Sequence, residues 1–234
     1  MKTDPQFDVR LSSDATTEST LVVGQAHYGM AGVTAADYLV RHFESTRIGH
    51  VDPEGLPAIA PLEDGVPRHH SRLYAVEDPN LTVLVGELFI PVGVAREFAD
   101  ALLSMAADRS ITEIVVLHGV PFPHGPDEHA VFTAATTGYR EARLSDQPLQ
   151  PLRGGFLDGV VGEIVTRSLD ADAPDTGVFV TPTHPPGPDI DAALRLIEAT
   201  ETVYGFDVDE TELREQAEQL QEYYEQLAER MATL

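Results

Sequence analysis

Histidine side chains are the first candidates for chemistry in this sequence, because imidazole is the commonest metal ligand and a frequent general base. Nine histidines are present. His118 follows the apolar run of residues 114–117, so it should lie at the carboxyl end of a strand, where open α/β sheets usually bind ligands. His184 also follows an apolar run. We therefore predict that both histidines lie at the rim of a sheet.

A cluster of metal ligands is one interpretation of these histidines. His118, His124 and His129 are close in sequence, with Asp127 between the last two. The proline-rich spacing matches no ligand motif that has a geometric basis. The sequence contains no cysteine, so thiolate ligands and thiolate nucleophiles are excluded. We predict neither a metal ion nor another cofactor.

Covalent catalysis requires a nucleophile beside a base, usually on a turn that exposes it. The Gly-x-Ser-x-Gly motif is absent from the sequence. The glycine-rich residues 154–164 carry only Asp158 and Glu163 as reactive groups, and one such pair means little among 39 acidic residues. We predict no catalytic residues and a protein that is not an enzyme.

Three glycines separate a β-branched apolar run from a helical pattern within residues 20–43. Gly24, Gly29 and Gly32 follow the spacing Gly-x4-Gly-x2-Gly. Glycine allows positive φ and close backbone approach, so this turn either exposes N–H groups to a ligand or lets the helix pack tightly on the sheet. The P-loop Lys-Ser/Thr is missing and the dinucleotide fingerprint does not fit. We favour tight packing over phosphate binding.

Alternating strand-like and helix-like periodicity predicts an α/β layer architecture. Strands are predicted at residues 21–23, 73–76, 82–86, 113–117 and 178–181. Two amphipathic helices, with apolar stripes from Val94 to Met105 and from Ala192 to Val203, should cover the sheet. Segments rich in proline, glycine and charge are predicted to be loops at residues 52–72, 121–127 and 173–188.

The end of the sequence predicts a long amphipathic helix with an apolar seam. The seam consists of Leu213, Ala217, Leu220, Tyr224, Leu227 and Met231. Such a stripe packs on its own domain, pairs within an oligomer, or docks a partner subunit. Tyr223 lies off the seam and is a candidate contact, since aromatic side chains are frequent hot spots. We predict an N-terminal extension (residues 1–18), an α/β core (19–206) and this helical segment (207–234).

Charge gives a separate indication of environment. The chain has 39 acidic and 15 basic residues, with a net charge of −24 and Lys2 as its only lysine. Molar salt shortens the Debye length to about 3 Å and so removes most of the self-repulsion. The composition favours a halophilic archaeal cytosol, with an acidic mesophilic protein as the alternative. It argues against nucleic-acid and anionic-membrane partners, which require cationic patches.

No signal peptide and no apolar run approaching about 18 residues is visible, so we expect a cytoplasmic protein.

Several segments together resemble one protein family. In order, they are TLVVGQAHYGMAGVTAADYLVRHF (20–43), LPAIAP (56–61), LTVLVGELFIP (81–91), ITEIVVLHGVP (111–121), FTAATT (132–137), LRGGFLDGVVGEIVTRSL (152–169) and DIDAALRLIEATETVYGFDVD (189–209). Over residues 20–231 the chain resembles the proteasome assembly chaperone 2 family of archaeal and bacterial proteins. Order and spacing carry the resemblance, since the segments are mostly glycines and apolar runs.

The resemblance implies a fold and a role. The fold would be a three-layer α/β sheet with helices on both faces, similar to the core of purine nucleoside phosphorylases, plus a C-terminal helix. The role would be a non-enzymatic binding protein that forms homo-oligomers and contacts proteasome α-subunits. Some relatives dock through a terminal hydrophobic-Tyr-any tripeptide, whereas this sequence ends Ala232-Thr233-Leu234. We therefore expect another docking surface, with the C-terminal helix as the candidate.

The alternative is a nucleoside-like small-molecule binder or enzyme on the same fold. It would use the glycine turn with His27, His118 and His184. A phosphorylase needs cations for its phosphate, but the nearest to the turn are Arg41 and Arg47, on or beyond the following helix. The sequence favours the binding protein over this alternative.

Overall fold

A large mixed sheet with helices on both faces forms the body of the protein. The computed structural model describes residues 6–122, 125, 129–170, 172–184 and 187–232, and for residues 221 and 224–232 it describes the backbone alone. The strands are β1 Gln6–Leu11, β2 Thr20–Gln25, β3 Ser45–Glu54, β4 Leu62–Glu63, β5 Val66–Pro67, β6 Ser71–Val76, β7 Leu81–Gly86, β8 Glu113–Val120, β9 Phe132–Ala135, β10 Gln150–Pro151 and β11 Asp175–Pro182. The helices are α1 Ala31–His42, α2 Ala95–Asp108, α3 Thr137–Tyr139, α4 Gly159–Arg167, α5 Ile190–Tyr204 and α6 Thr211–Ala232.

Nine strands form the main sheet in the order β1-β3-β6-β7-β2-β8-β11-β9-β10. The four central strands β7, β2, β8 and β11 run parallel to one another. β6, β3 and β1 follow on one side as antiparallel strands, and β9 pairs antiparallel with β11 on the other. Parallel strands covered on both faces are expected to be apolar throughout, and every residue of β2 and β7 is buried.

Two apolar cores lie on opposite faces of the sheet. One core joins the sheet to α1 and α5, with Val22, Leu39 and Leu196 among its buried members. The other joins it to α2 and α4 through residues such as Phe98 and Ile164. The architecture is therefore three layers of mixed α/β structure, and both predicted amphipathic helices cover the sheet.

All five predicted strands are present, but the predicted loops are partly wrong. β3 runs to Glu54, the β4–β5 hairpin follows, and β6 begins at Ser71, all within the expected 52–72 loop. β11 occupies Asp175–Pro182 within the expected 173–188 loop. The strand pairs with β8 over eight positions. Its proline, Pro182, is the last residue of the strand, where the missing N–H does not interrupt the hydrogen bonds of the sheet.

β1 falls within the predicted N-terminal extension and pairs with β3 along its whole length. The division into residues 1–18, 19–206 and 207–234 stays a prediction. No helix in the described part of the chain combines the length and apolar character needed to cross a membrane.

Candidate functional site

A cavity of about 330 Å³ lies at the carboxyl ends of the central strands, on the side of the sheet covered by α2 and α4. Four separate segments enclose it: the end of β2, the end of β8, the loop between β7 and α2, and the beginning of α4. The connection after β2 leads toward β3 and that after β8 leads toward β9, on opposite sides of the sheet. Open α/β sheets bind ligands where adjacent connections diverge in this way.

His118 and His27 form the polar floor of the cavity, with ring centroids 4.6 Å apart. His27 Nδ1 lies 3.1 Å from the Gly119 carbonyl, which can only accept, so Nδ1 is the donor. His118 is only 5% exposed. Burial, and secondarily the neighbouring His27, lowers the pKa of His118 to about 3. His118 is therefore a neutral imidazole at neutral pH, with one donor and one acceptor nitrogen.

Gln25 adds a second buried polar side chain from the adjacent strand. Its Nε2 donates to the Leu88 carbonyl. Its Oε1 is buried without a partner among the described residues. The amide lies against Gly86, where a Cβ would fall 2.1 Å from Oε1. A glycine at this position thus leaves room for a polar group that the protein satisfies only in part.

Apolar side chains surround the mouth of the cavity. Tyr28, Phe89 and Val92 are exposed, and Phe156 is fully exposed. Asp158 precedes α4, and its carboxylate makes no capping hydrogen bond to the helix. The mouth therefore offers aromatic surfaces and one carboxylate.

Gly24 and Gly32 hold α1 against the sheet. A Cβ on Gly24 would lie 2.3 Å from the Cβ of Ala36, and one on Gly32 would lie 2.0 Å from the Leu117 carbonyl oxygen. Gly29 has a φ of 71° and contacts Thr183 closely. The glycine turn therefore serves close packing, and by fixing α1 beneath β2 and β8 it also fixes the loop that carries His27.

The structure brings His118 and His27 together but places His184 elsewhere. His184 Nδ1 lies 2.9 Å from Asp189 Oδ2, and its ring contacts that of His129 beside a different hollow. His124 and Asp127 lie outside the described residues. Among the residues the structure describes, no group of three His, Asp or Glu side chains is arranged to hold a metal ion.

The apolar seam of α6 begins in the core. Leu213 is 2% exposed and Ala217 packs against the same core, so the first turns of α6 are bound to their own domain. Leu220 is partly exposed and Tyr223 is 58% exposed. Three further seam side chains lie outside the described residues: Tyr224, Leu227 and Met231.

Of the histidines predicted at the rim, His27 and His118 line this cavity, whereas Gln25, Phe89 and Phe156 line it without having been predicted. Gln25 carried a usable signal, since it is the polar last residue of a strand whose residues 21–24 are apolar or glycine. The two phenylalanines carried none, because only the strand order brings their loops to the ends of β2 and β8.

Comparisons with known proteins agree with this architecture. The model of the PAC2 family matches residues 21–228. Among solved structures, Pyrococcus furiosus PbaA, described as an archaeal homologue of proteasome-assembly chaperone, is similar with a TM-score of 0.84 and 20% identity over 97% of this chain and 94% of its own. Pyrococcus furiosus PbaB, described as an archaeal proteasome activator, has a TM-score of 0.79 and 18% identity over 97% of this chain and all of its own.

A Thermoplasma acidophilum protein of unknown function has a TM-score of 0.74 and 26% identity over 93% of this chain and 89% of its own. No curated protein matches the sequence.

Proposed function

Because the chain belongs to the PAC2 family, we propose that it is a non-enzymatic binding protein that assists proteasome assembly through contacts with proteasome α-subunits. The observation that carries the proposal is the extent of the family match, which spans residues 21–228 and thus the whole sheet from β2 onward. PbaA, which shares this fold, is described as a homologue of proteasome-assembly chaperone and supports the same role, whereas PbaB, described as a proteasome activator, supports only a link to the proteasome.

The chemistry of the cavity supports a binding role. Among the described residues that line it, none is a serine, threonine, cysteine or lysine. His118, whose pKa is about 3, is a poor general base at neutral pH. The polar groups of the cavity fit recognition better than bond breaking.

The docking surface we propose is the part of α6 beyond Ala217. The seam continues there through Leu220, Tyr224 and Leu227, while the preceding turn is held by the core through Leu213. A helix anchored at one end can present its remaining apolar stripe to a groove on a partner. Tyr223 widens this surface.

A paired substitution tests the docking surface. Replacing Tyr224 and Leu227 together with serine should weaken binding to the α-subunit of the same organism at least about tenfold, since aromatic anchors at interfaces are worth about 2 kcal/mol or more. The matched control replaces Glu218 and Gln219, exposed on the same helix, with serine. Calorimetric titration in molar KCl measures both. Equal affinities for the two double variants would reject α6 as the docking surface.

The proposal includes self-association into a homo-oligomer and a halophilic archaeal cytosol as the working environment. The net charge of −24 supports the second element, because a chain so acidic depends on salt to relieve self-repulsion. Nucleic acid and anionic membranes are not proposed as partners.

A second candidate is a small-molecule binder or enzyme with a core similar to purine nucleoside phosphorylases. The cavity at His118 favours it. Transfer to phosphate, however, needs a cationic group to hold the anion, and among the described residues lining the cavity none is an arginine or a lysine. The cavity therefore supports ligand binding better than phosphorolysis.

A further inference from the structure

We propose that the cavity between β2, β8 and α4 binds a small, flat ring compound that carries N–H donors and no negative charge. This site goes beyond the proposed role in proteasome assembly and does not depend on it. It uses side chains on the opposite face of the sheet from the core that anchors α6.

The unused hydrogen-bonding capacity of the cavity is mostly that of acceptors. His27 donates from Nδ1 to a carbonyl, which leaves Nε2 as an acceptor in the neutral ring. Asp158 adds a carboxylate that does not cap α4. A ligand N–H that donates to His27 Nε2 or to the Asp158 carboxylate makes a hydrogen bond worth about 0.5–1.5 kcal/mol net, and more where the acceptor is charged.

Charge excludes anions from the cavity. Among its described lining residues none is cationic, and Asp158 stands at the mouth. His118 contributes no positive charge at neutral pH, because burial keeps it neutral. A phosphate or carboxylate would therefore enter without a counter-charge and beside a like charge, whereas a neutral or cationic ligand meets neither penalty.

The size and shape of the cavity suit a ligand with one ring or two fused rings. The volume of about 330 Å³ is at the lower end of the range for ligand sites. Apolar side chains such as Ile90, Val116 and Val161 form the walls. The rings of His27 and Phe89 lie nearly parallel, with centroids 6.3 Å apart, and present flat faces near the opening. Flat aromatic ligands stack favourably on such faces.

Three probes of nearly the same shape separate the effect of ligand charge from the effect of ligand N–H donors. Benzamide is neutral with N–H donors, benzamidine is cationic with N–H donors, and benzoate is anionic without them. Binding is measured by calorimetry at millimolar ligand in molar KCl, which screens general attraction to an acidic protein, at about pH 8, above the ordinary range of histidine. Benzamide and benzamidine should bind, and benzoate should not. Absence of binding by both donor-bearing probes, or equal binding of benzoate, would overturn the proposal.

Two variants locate the binding in the cavity. His27→Phe removes the Nε2 acceptor, keeps a flat ring and should weaken benzamide about tenfold, the value of one well-formed hydrogen bond. Asp158→Asn changes an exposed side chain, so its folding is secure; it should weaken benzamidine several-fold and leave benzamide unchanged. Asp170→Asn, exposed and outside the cavity, is the charge-matched control and should alter neither. If Asp158→Asn and Asp170→Asn bind benzamidine equally, the site is rejected.

Discussion

At the residue scale, Gln25 and His118 are buried polar residues near the carboxyl ends of two mostly apolar strands. Gln25 ends β2, His118 lies two residues before the end of β8, and both face the α2–α4 side of the sheet. Burying a polar group without full hydrogen bonding is unfavourable, so most core positions of this kind carry valine or leucine. Two such residues on adjacent strands line one cavity, which is the site proposed above for ligand binding.

His118 should make folding sensitive to acid. Its pKa in the folded protein is about 3, below the ordinary value of 6.5, so the unfolded chain takes up a proton there first. Stability from this residue is complete above about pH 6.5 and is lost as the pH falls toward 3. We measure the free energy of unfolding in urea at several pH values within this window. Its slope against pH should be steeper for the wild type than for His118→Leu, by up to about 1.4 kcal/mol per pH unit.

His27 and Asp158, which line the same cavity, are retained in both proteins, so the difference isolates His118. Parallel pH profiles for the wild type and His118→Leu would contradict the account.

At the element scale, the glycines of the β2–α1 turn set the distance between α1 and the sheet. Gly32 is buried in α1, and its Cα faces the Leu117 carbonyl of β8. Gly24 faces Ala36 in the same way. Close approach of helix and strand backbones at these two points places the His27 loop beside the end of β8, which carries His118.

Gly32→Ala should therefore destabilise the protein, although alanine is the better helix former. The added Cβ would lie 2.0 Å from a backbone oxygen that cannot rotate away. We expect a loss of about 2–3 kcal/mol in the free energy of unfolding, measured by urea denaturation. Gly93→Ala is the control, because nothing lies within 4 Å of its Cβ position; its effect should stay below about 0.5 kcal/mol. Equal midpoints for the two variants would refute the packing role.

The central elements were predictable and the peripheral ones were not. β2, β7 and β8 are buried on both faces and appear as continuous apolar runs, which sequence patterns detect. β1 alternates between exposed and half-buried residues, and β3 is largely polar, so neither stood out. Of the cavity, the sequence pointed only to His27 and His118, because the other walls depend on the strand order.

At the scale of the whole molecule, the main feature is the large excess of negative charge. A net charge of −24 on 234 residues repels itself at low ionic strength. The ion pairs include a buried one, in which Arg72 contacts Glu87 at 2.6 Å and Asp37 at 3.3 Å. Many acidic side chains still face solvent, where only salt can screen them.

Salt should consequently stabilise the fold. Raising KCl from about 0.1 M to about 1 M shortens the Debye length from about 10 Å to about 3 Å. We expect the melting temperature, followed by circular dichroism, to rise steadily over this range. A melting temperature that stays level or falls would contradict both the electrostatic account and the halophilic environment.

The most direct test of the central claim is light scattering on size-exclusion fractions in molar KCl, for the protein alone and mixed with the proteasome α-subunit of the same organism. The account predicts a homo-oligomer that shifts, on mixing, to a mixed complex of defined mass. An oligomer whose mass is unchanged by the α-subunit would contradict the assembly role and leave the PAC2 fold with a different partner.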